Sequence, residues 1–405
     1  IVRDLIDLYS WNKLVKDKNL KPDFKKIVSS PLQKMSAKKY VDDRKNIPAV
    51  STQSYHPPLY HLTGALLYKT CELLNCSIVQ AYYLTRLTSL LFHIGLLFIV
   101  YRLLANWYIW LVFALNPLLL RMSVGINNDI AVTFFSALTI YLLSKGGSFT
   151  RSLRSGDQDD PSASSGQARN VVILGLVTSA AIMSKLSGLF LLIPCLYVLR
   201  RNFRAFFLFT VSCLLFIAPW FLVNLNLYNQ LVPTYALSVI CKQIPLVPIW
   251  QMPFKTLFEF RHTFYHFAGF YGWNEVYPPK FVFTVYGLLF ITSVIVGIVI
   301  TLSSSGSPRA NARGSKMVKL DSHFHGNDSI LYLVSIVSLL GFLGAMFIWN
   351  SINGGYCDIQ GRYLLPIFVL LIYFQSYLLN RKSLFYFSVL YILYSIFSIL
   401  IPRYY

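Results

Sequence analysis

Apolar residues run almost without interruption through most of the chain, and the places where they stop define its organisation. Apolar stretches predict membrane spans at 80–104, 107–121, 130–143, 170–183, 187–199, 205–226, 281–303, 329–349, 363–380 and 384–400. About 20 such residues cross a hydrocarbon core of roughly 30 Å. Lipid cannot satisfy backbone polar groups, and the runs show no two-residue alternation, so they are expected as helices rather than barrel strands. The expected fold class is all-α, a polytopic transmembrane helical bundle of about 10 spans.

The polar stretches set the boundaries. Residues 1–53 are rich in Lys and Asp, with short amphipathic patches around Leu5 and Trp11, and read as surface helices beside a membrane. Pro57 and Pro58 then fix the local backbone and disfavour helix in the residue before each, so the chain arrives extended and turns into a helix. That helix, 59–74, carries Lys69 and Glu72 and is expected to lie in or dip into the interface. Two regions follow: an external membrane-flanking loop at 1–78 and a transmembrane domain at 79–405. Within the second, loops are expected at 144–169, 227–280 and 304–328. The first of these is Ser/Gly/Asp-rich with little to bury.

Composition agrees with the pattern. Of the 405 residues 55% are hydrophobic and only 13% charged, against about 25% in soluble proteins. The net charge of +20 need not mean nucleic acid, because no basic-aromatic module of the usual kind is present. Anionic headgroups and the positive-inside rule account for it. Lys145, Arg151, Arg154 and Arg169, then Arg200, Arg201 and Arg204, then the basic residues of 309–319, then Arg381 and Lys382, fall in one alternating set of loops. That set, including 144–169 and 304–328, is assigned to the cytoplasm, and 227–280 to the outside. The N-terminal segment then falls outside, and a further span is expected upstream of Ile1. The six cysteines form no CxxC pair and no metal spacing with His, so neither a disulfide framework nor a zinc site is expected.

With this topology, out-of-place polar residues collect on the external side: His56, Arg86, Arg121, Asn128, Asp129, Lys185, Trp273, Asn274, Glu275, Asp358, Gln360 and Arg362. An ionisable group at membrane depth costs about 2.5–3.5 kcal/mol to insert, so each needs a partner or a wet cavity. One shared site satisfies them together. Simpler roles stand beside it. Arg86 and Arg121 can snorkel. Asn127-Asn128-Asp129 can cap a helix. Asp358 and Arg362 can pair one turn apart. The aromatics of 227–280 can form an interfacial belt. His56 can serve as a hinge at the Pro-Pro turn. Lys185 splits the apolar stretch 170–199 near its midpoint, and an anion such as a phosphate is its natural complement.

Four segments recur in the same order in a set of prokaryotic membrane proteins: Tyr55-His56-Pro57-Pro58-Leu59-Tyr60, Asn127-Asn128-Asp129, Ser184-Lys185-Leu186-Ser187-Gly188 and Gln360-Gly361-Arg362-Tyr363-Leu364-Leu365-Pro366. Through them the chain resembles the GT-C class of glycosyltransferases, which includes the protein O-mannosyltransferases and the aminoarabinose transferase of lipid A. The stretch from Phe264 to Trp273 is similar to the corresponding loop of an uncharacterised prokaryotic branch of that class. The resemblance implies transfer of a sugar from a polyprenyl-phosphate carrier on the non-cytoplasmic face of a prokaryotic plasma membrane. The acceptor is a glycan, a lipid or a protein. Lys185 or Arg362 suits the lipid phosphate, and Asp129, Glu275 and Asp358 are the candidate bases. His56, Tyr60, Asn128, Lys185, Trp273, Asn274, Gln360 and Arg362 are the candidate substrate-binding residues. In better-known members an acidic residue just after the first span is the catalytic one; that region is expected to precede Ile1 or to be missing, so no base is assigned. No cofactor and no nucleic acid are expected, and a divalent metal stays open. A transporter or lipid flippase, and a non-catalytic membrane subunit, are the other readings.

Overall fold

In the computed structural model, residues 56–104, 107–145, 161–200, 202–232, 333–345 and 381–394 are described, with positions 284, 288, 291, 292, 295, 298, 299, 364, 365 and 397. The described residues are helical throughout their ordered elements. In chain order these are α1 (Leu59–Leu73), α2 (Ile78–Leu104), α3 (Trp107–Ala114), α4 (Pro117–Val124), α5 (Asn128–Lys145) and α6 (Pro161–Ser184). A 3-10 segment, Leu186–Leu191, leads into α7 (Leu192–Leu199) and α8 (Phe203–Tyr228), and then come α9 (Leu333–Ala345) and α10 (Arg381–Tyr394).

Three helical stretches are long and apolar enough to cross a membrane: Gln80–Leu103, Gly166–Ser184 and Phe203–Tyr228. A fourth crossing is available if Leu118–Val124 and Asn128–Ser144, bent by 115° at their junction, count as one broken span. The ten expected spans are therefore described only in part. Those at 281–303 and 363–380 lie largely outside the described residues.

The expected span 107–121 is divided. Asn116 leaves the helix, its side chain accepts a 3.0 Å hydrogen bond from Leu119 N, and Pro117 takes the first helical position. A side-chain cap followed by a residue without an N–H is a strong start signal, so the chain restarts rather than continues. The loop expected at 144–169 ends early, because α6 begins at Pro161, again with Pro at the first helical position. The structure also corrects the expectation that disulfides play no part, since Cys71 and Cys76 are joined. α1 ends at Leu73, Asn75 takes a left-handed φ of 54°, and Cys76 N donates to Cys71 O at 2.9 Å. This tight reversal brings the two Cα atoms to 5.1 Å, within bridging distance.

Helix α1 packs along α2. Tyr60 meets Ser89, Gly64 faces Thr85, and the disulfide closes the turn before Ile78. It runs antiparallel to the first half of α2 as a helical hairpin.

Two apolar cores result. One gathers Tyr60, Leu96, Phe113, Leu119, Ile130 and Phe190, joined by Leu339, Leu343, Leu364 and Leu365 from the C-terminal part. The other gathers Leu143, Val171, Leu174, Cys195, Leu199, Phe209 and Ile217. Ala181 belongs to the first and Ile182 to the second, so α6 stands between them. Its contact with α8 is close enough that a Cβ on Gly175 would come within 2.7 Å of Ser212 Oγ and 3.1 Å of Phe209 O. The outer face of α8, with Phe203, Leu215 and Leu222, is exposed, as suits a helix facing lipid.

Candidate functional site

Helix α5 starts, and helix α6 stops, at the same place. Asn127 Oδ1 accepts a 2.8 Å hydrogen bond from Asp129 N, which is an N-cap in the ordinary sense, so the capping role proposed for this triplet is real. It uses only Asn127. Asn128 instead reaches across to α6, where Nδ2 donates to the carbonyl of Ser184 at 3.3 Å. Asp129 is buried to 1% exposure, and its Oδ1 accepts from Lys185 Nζ at 2.5 Å.

Lys185 sits where α6 ends. Its backbone is extended (φ −162°, ψ 138°), and Gly188 N donates to Lys185 O at 2.9 Å as the 3-10 segment folds back. Gly188 is required there, because a Cβ would lie 2.6 Å from the carbonyl carbon of Ala181 and 2.7 Å from Ile182 N. Both are backbone atoms of α6 and cannot swing aside. Residues 170–199 thus form separate helical pieces, with Lys185 at the break.

The ends of α5 and α6 complement the charges they carry. Asp129 lies in the first turn of α5, where N–H dipoles favour an anion, and Lys185 follows the last residue of α6, where carbonyls favour a cation. Acid and ammonium side chains are almost never fully buried unless paired, and here each pairs with the other.

The N-terminal segments brace this pair from the other side. The Tyr60 hydroxyl and Ser89 Oγ are 2.7 Å apart, and the same Ser89 oxygen accepts from Asn127 N at 3.3 Å. Burial pushes the Tyr60 phenol above its ordinary value, and the nearby Asp129 charge adds to this while the hydrogen bonds with Ser89 and Asn127 oppose it. Tyr60 therefore stays neutral as a hydrogen-bonding group. Arg86 Nε donates to Val124 O, at the end of α4, at 2.5 Å, and its guanidinium lies 5.5 Å and 5.4 Å from the ring centres of Tyr82 and Tyr83. Arg86 thus caps the end of α4 and holds the 124–128 turn. His56 is buried just ahead of α1, and Arg121 is half-buried on α4.

From Lys185 back to Arg169 is about 24 Å of helix, and from Asp129 to Lys145 is again about 24 Å. From Ser89 to Leu104 is about 22 Å, and from Lys185 through the 3-10 turn to Leu199 about 24 Å. Four segments thus give similar path lengths from the site to the residues Lys145, Arg169, Leu104 and Leu199. The Arg200 guanidinium stands 3.9 Å from the Tyr197 ring centre.

Of the expected site residues, Tyr60, Asn128, Asp129 and Lys185 come together, with His56 immediately before α1. Trp273, Asn274, Glu275, Asp358, Gln360 and Arg362 lie outside the described residues. Leu364 and Leu365, which follow Arg362 closely in sequence, belong to the same buried core as Tyr60 and Ile130. Sequence reasoning passed over Ser89, a serine within an apolar run, and Ser187, noted only as a neighbour of Lys185. Among the described residues no three His, Cys, Asp or Glu side chains gather closely enough to hold a metal ion.

The model of a family described as a predicted membrane protein family, DUF2142, matches residues 19–371 of the chain. That range contains every candidate site residue. No curated protein and no solved structure matches.

Proposed function

The chain belongs to the DUF2142 family of predicted membrane proteins, and on that premise we propose that this integral membrane protein is a glycosyltransferase of the GT-C type. In this reading it moves a sugar from a polyprenyl-phosphate carrier to an acceptor hydroxyl on the outer face of a prokaryotic plasma membrane. The observation that carries the reading is the buried Asp129–Lys185 pair at the facing ends of α5 and α6. Counted along the helices, the pair stands about 24 Å from the basic ends. If the basic ends face the cytoplasm, the site belongs to the outer leaflet. The Cys71–Cys76 disulfide supports the same orientation, because it lies at the tip of the α1–α2 hairpin on the far side of the site and disulfides persist in oxidising compartments.

The chemistry asks little beyond these groups. An acceptor oxygen attacks the anomeric carbon, the carbon–oxygen bond to phosphate breaks, and the lipid phosphate leaves with its extra negative charge. Lys185, with Arg362 as the second candidate, stabilises that charge. The acceptor proton goes to a carboxylate. Asp129, already bonded to Lys185, suits the orientation of the ammonium better than proton removal, which leaves Glu275 and Asp358 as the base candidates. Tyr60, Asn128 and His56 border the donor, and Trp273, Asn274 and Gln360 are assigned to the sugar and acceptor side.

The transporter reading has one observation in its favour, the two broken helices that meet at an ion pair. Transporter folds of that kind carry related halves, and no internal repeat is evident in this sequence. Reconstitution with a polyprenyl-phosphate sugar tests the choice. The enzyme reading expects donor consumption and free lipid phosphate with wild type, and loss of both in Lys185→Ala and Arg362→Ala. Unchanged donor binding and turnover in both variants overturns it.

A further inference from the structure

The two serines that flank Lys185 are not equivalent. Ser184 Oγ donates to Ala180 O at 2.8 Å, within its own helix, and its carbonyl accepts from Asn128. It is fully committed. Ser187 is buried to 3% exposure, and its hydroxyl has no hydrogen-bond partner among the described residues. A buried hydroxyl without a partner is uncommon enough to require a reason.

Its place in the backbone narrows that reason. Ser187 lies in the 3-10 segment, where residues three apart eclipse one another, so it shares a face with Phe190. Phe190 is buried in the core cluster that holds Tyr60, Ile130 and Leu364. Ile130 follows directly after Asp129. The 3-10 segment packs against α5, so Ser187 lies two residues from the ammonium in a turn that adjoins the helix carrying Asp129. The Gly188 backbone, pressed against Ala181 and Ile182, holds this turn in register.

We infer that the Ser187 hydroxyl is a ligand-binding group of the Lys185 site and donates its hydrogen bond to an oxygen of the lipid-linked phosphate. The inference rests on the glycosyltransferase reading and deepens it. Lys185 supplies charge without direction, since an ammonium is a freely rotating donor. A hydroxyl fixed by the 3-10 turn supplies direction and distinguishes one phosphate oxygen from another. No covalent step is involved. The pairing explains why a polar group is tolerated in an otherwise apolar turn, because the ligand completes it.

The test uses the full chain in lipid nanodiscs, with a short-chain polyprenyl monophosphate as probe and the matching polyprenol, which lacks the phosphate, as control. Ser187→Ala is expected to weaken monophosphate binding roughly tenfold, the effect of one hydrogen bond to a charged group. Polyprenol binding and thermal stability should stay at wild-type levels, and Ser187→Thr should retain most of the affinity. Wild-type monophosphate binding in Ser187→Ala overturns the inference, as does an equal loss for the polyprenol. Lys185→Met separates the two levels of the argument. If it loses binding while Ser187→Ala does not, only the serine's role fails. If it also binds as wild type, the phosphate-site reading itself fails. Should Ser187→Thr prove unstable, Ser187→Cys keeps the volume with a weaker donor and is expected to fall between wild type and Ser187→Ala. Binding by Ser187→Cys at or below the Ser187→Ala level counts against the inference.

Discussion

Lys185 Nζ and Asp129 Oδ1 stand 2.5 Å apart with both side chains almost wholly buried, one just after the end of α6 and the other in the first turn of α5. The pair is the physical reason that two apolar segments can be interrupted there. Removing one partner leaves a buried charge uncompensated, which costs about 3–5 kcal/mol. Replacing both by apolar or neutral groups of similar volume removes the desolvation burden as well and is far milder. A double-mutant cycle of Asp129→Asn and Lys185→Met, followed by unfolding in bicelles, should therefore show strong favourable coupling. Additive single-variant effects would sink this account of the pair.

The turn that carries Lys185 depends on one hydrogen atom in place of a methyl. A Cβ at position 188 would lie 2.6 Å from backbone of α6, and backbone there is fixed by the helix. Gly188→Ala should cost at least the ~1–3 kcal/mol typical of overpacking and should also displace Lys185, lowering donor affinity. Gly166→Ala, where nothing lies within 4 Å of the added carbon, is the matched control. It should be neutral or stabilising by a few tenths of a kcal/mol, since alanine favours helix over glycine. Equal behaviour of the two variants, read by thermal unfolding, contradicts the close-approach argument.

Ser89 stands between two partners. The Tyr60 hydroxyl and the Asn127 backbone N–H both meet Ser89 Oγ, at 2.7 and 3.3 Å. Tyr60→Phe should cost about 1 kcal/mol, the usual net worth of one hydrogen bond. Ser89→Ala should cost more, because it strands two polar groups at once. Because Asn127 caps α5, Ser89→Ala should also loosen the first turn that carries Asp129. Hydrogen exchange of the amides around 127–130 checks this, and a smaller effect for Ser89→Ala than for Tyr60→Phe excludes it.

These dependences show what was legible in the chain. The span 80–104 is plain because apolar residues dominate it despite Arg86 and His93, and the break at Lys185 is plain because an ammonium cannot sit unaided in lipid. The break at Asn116-Pro117 carries a readable signal, a cap residue followed by Pro, which the surrounding apolar run masks. The role of Gly188 is not readable, because it depends on how close another helix comes. Ser89 is silent for a related reason: a serine in an apolar run bonds its own helix as readily as a neighbour, and only tertiary placement decides. The Cys71–Cys76 bridge depends on a left-handed residue, Asn75, that no spacing rule signals.

The orientation of the molecule offers the most direct test of where the site faces. In the proposed topology the α1–α2 hairpin tip is outside and the Arg200–Arg204 turn is inside. Cys195 and Cys213 are buried and should resist labelling, and Cys241 and Cys357 can be replaced by Ser to remove ambiguity. In that background, a membrane-impermeant maleimide added to intact spheroplasts should label Cys71 and Cys76 only after mild reduction. In the same background, Arg204→Cys should label only after the membrane is permeabilised. Arg204 lies about 36 Å of helix from Tyr228 at the other end of α8, so both labels cannot come from one side unless α8 fails to cross. Labelling of Arg204→Cys from outside, with the hairpin protected, would invert the protein and place the Asp129–Lys185 pair under the cytoplasmic leaflet. The lipid-phosphate reading would then have to account for a donor presented on the opposite face.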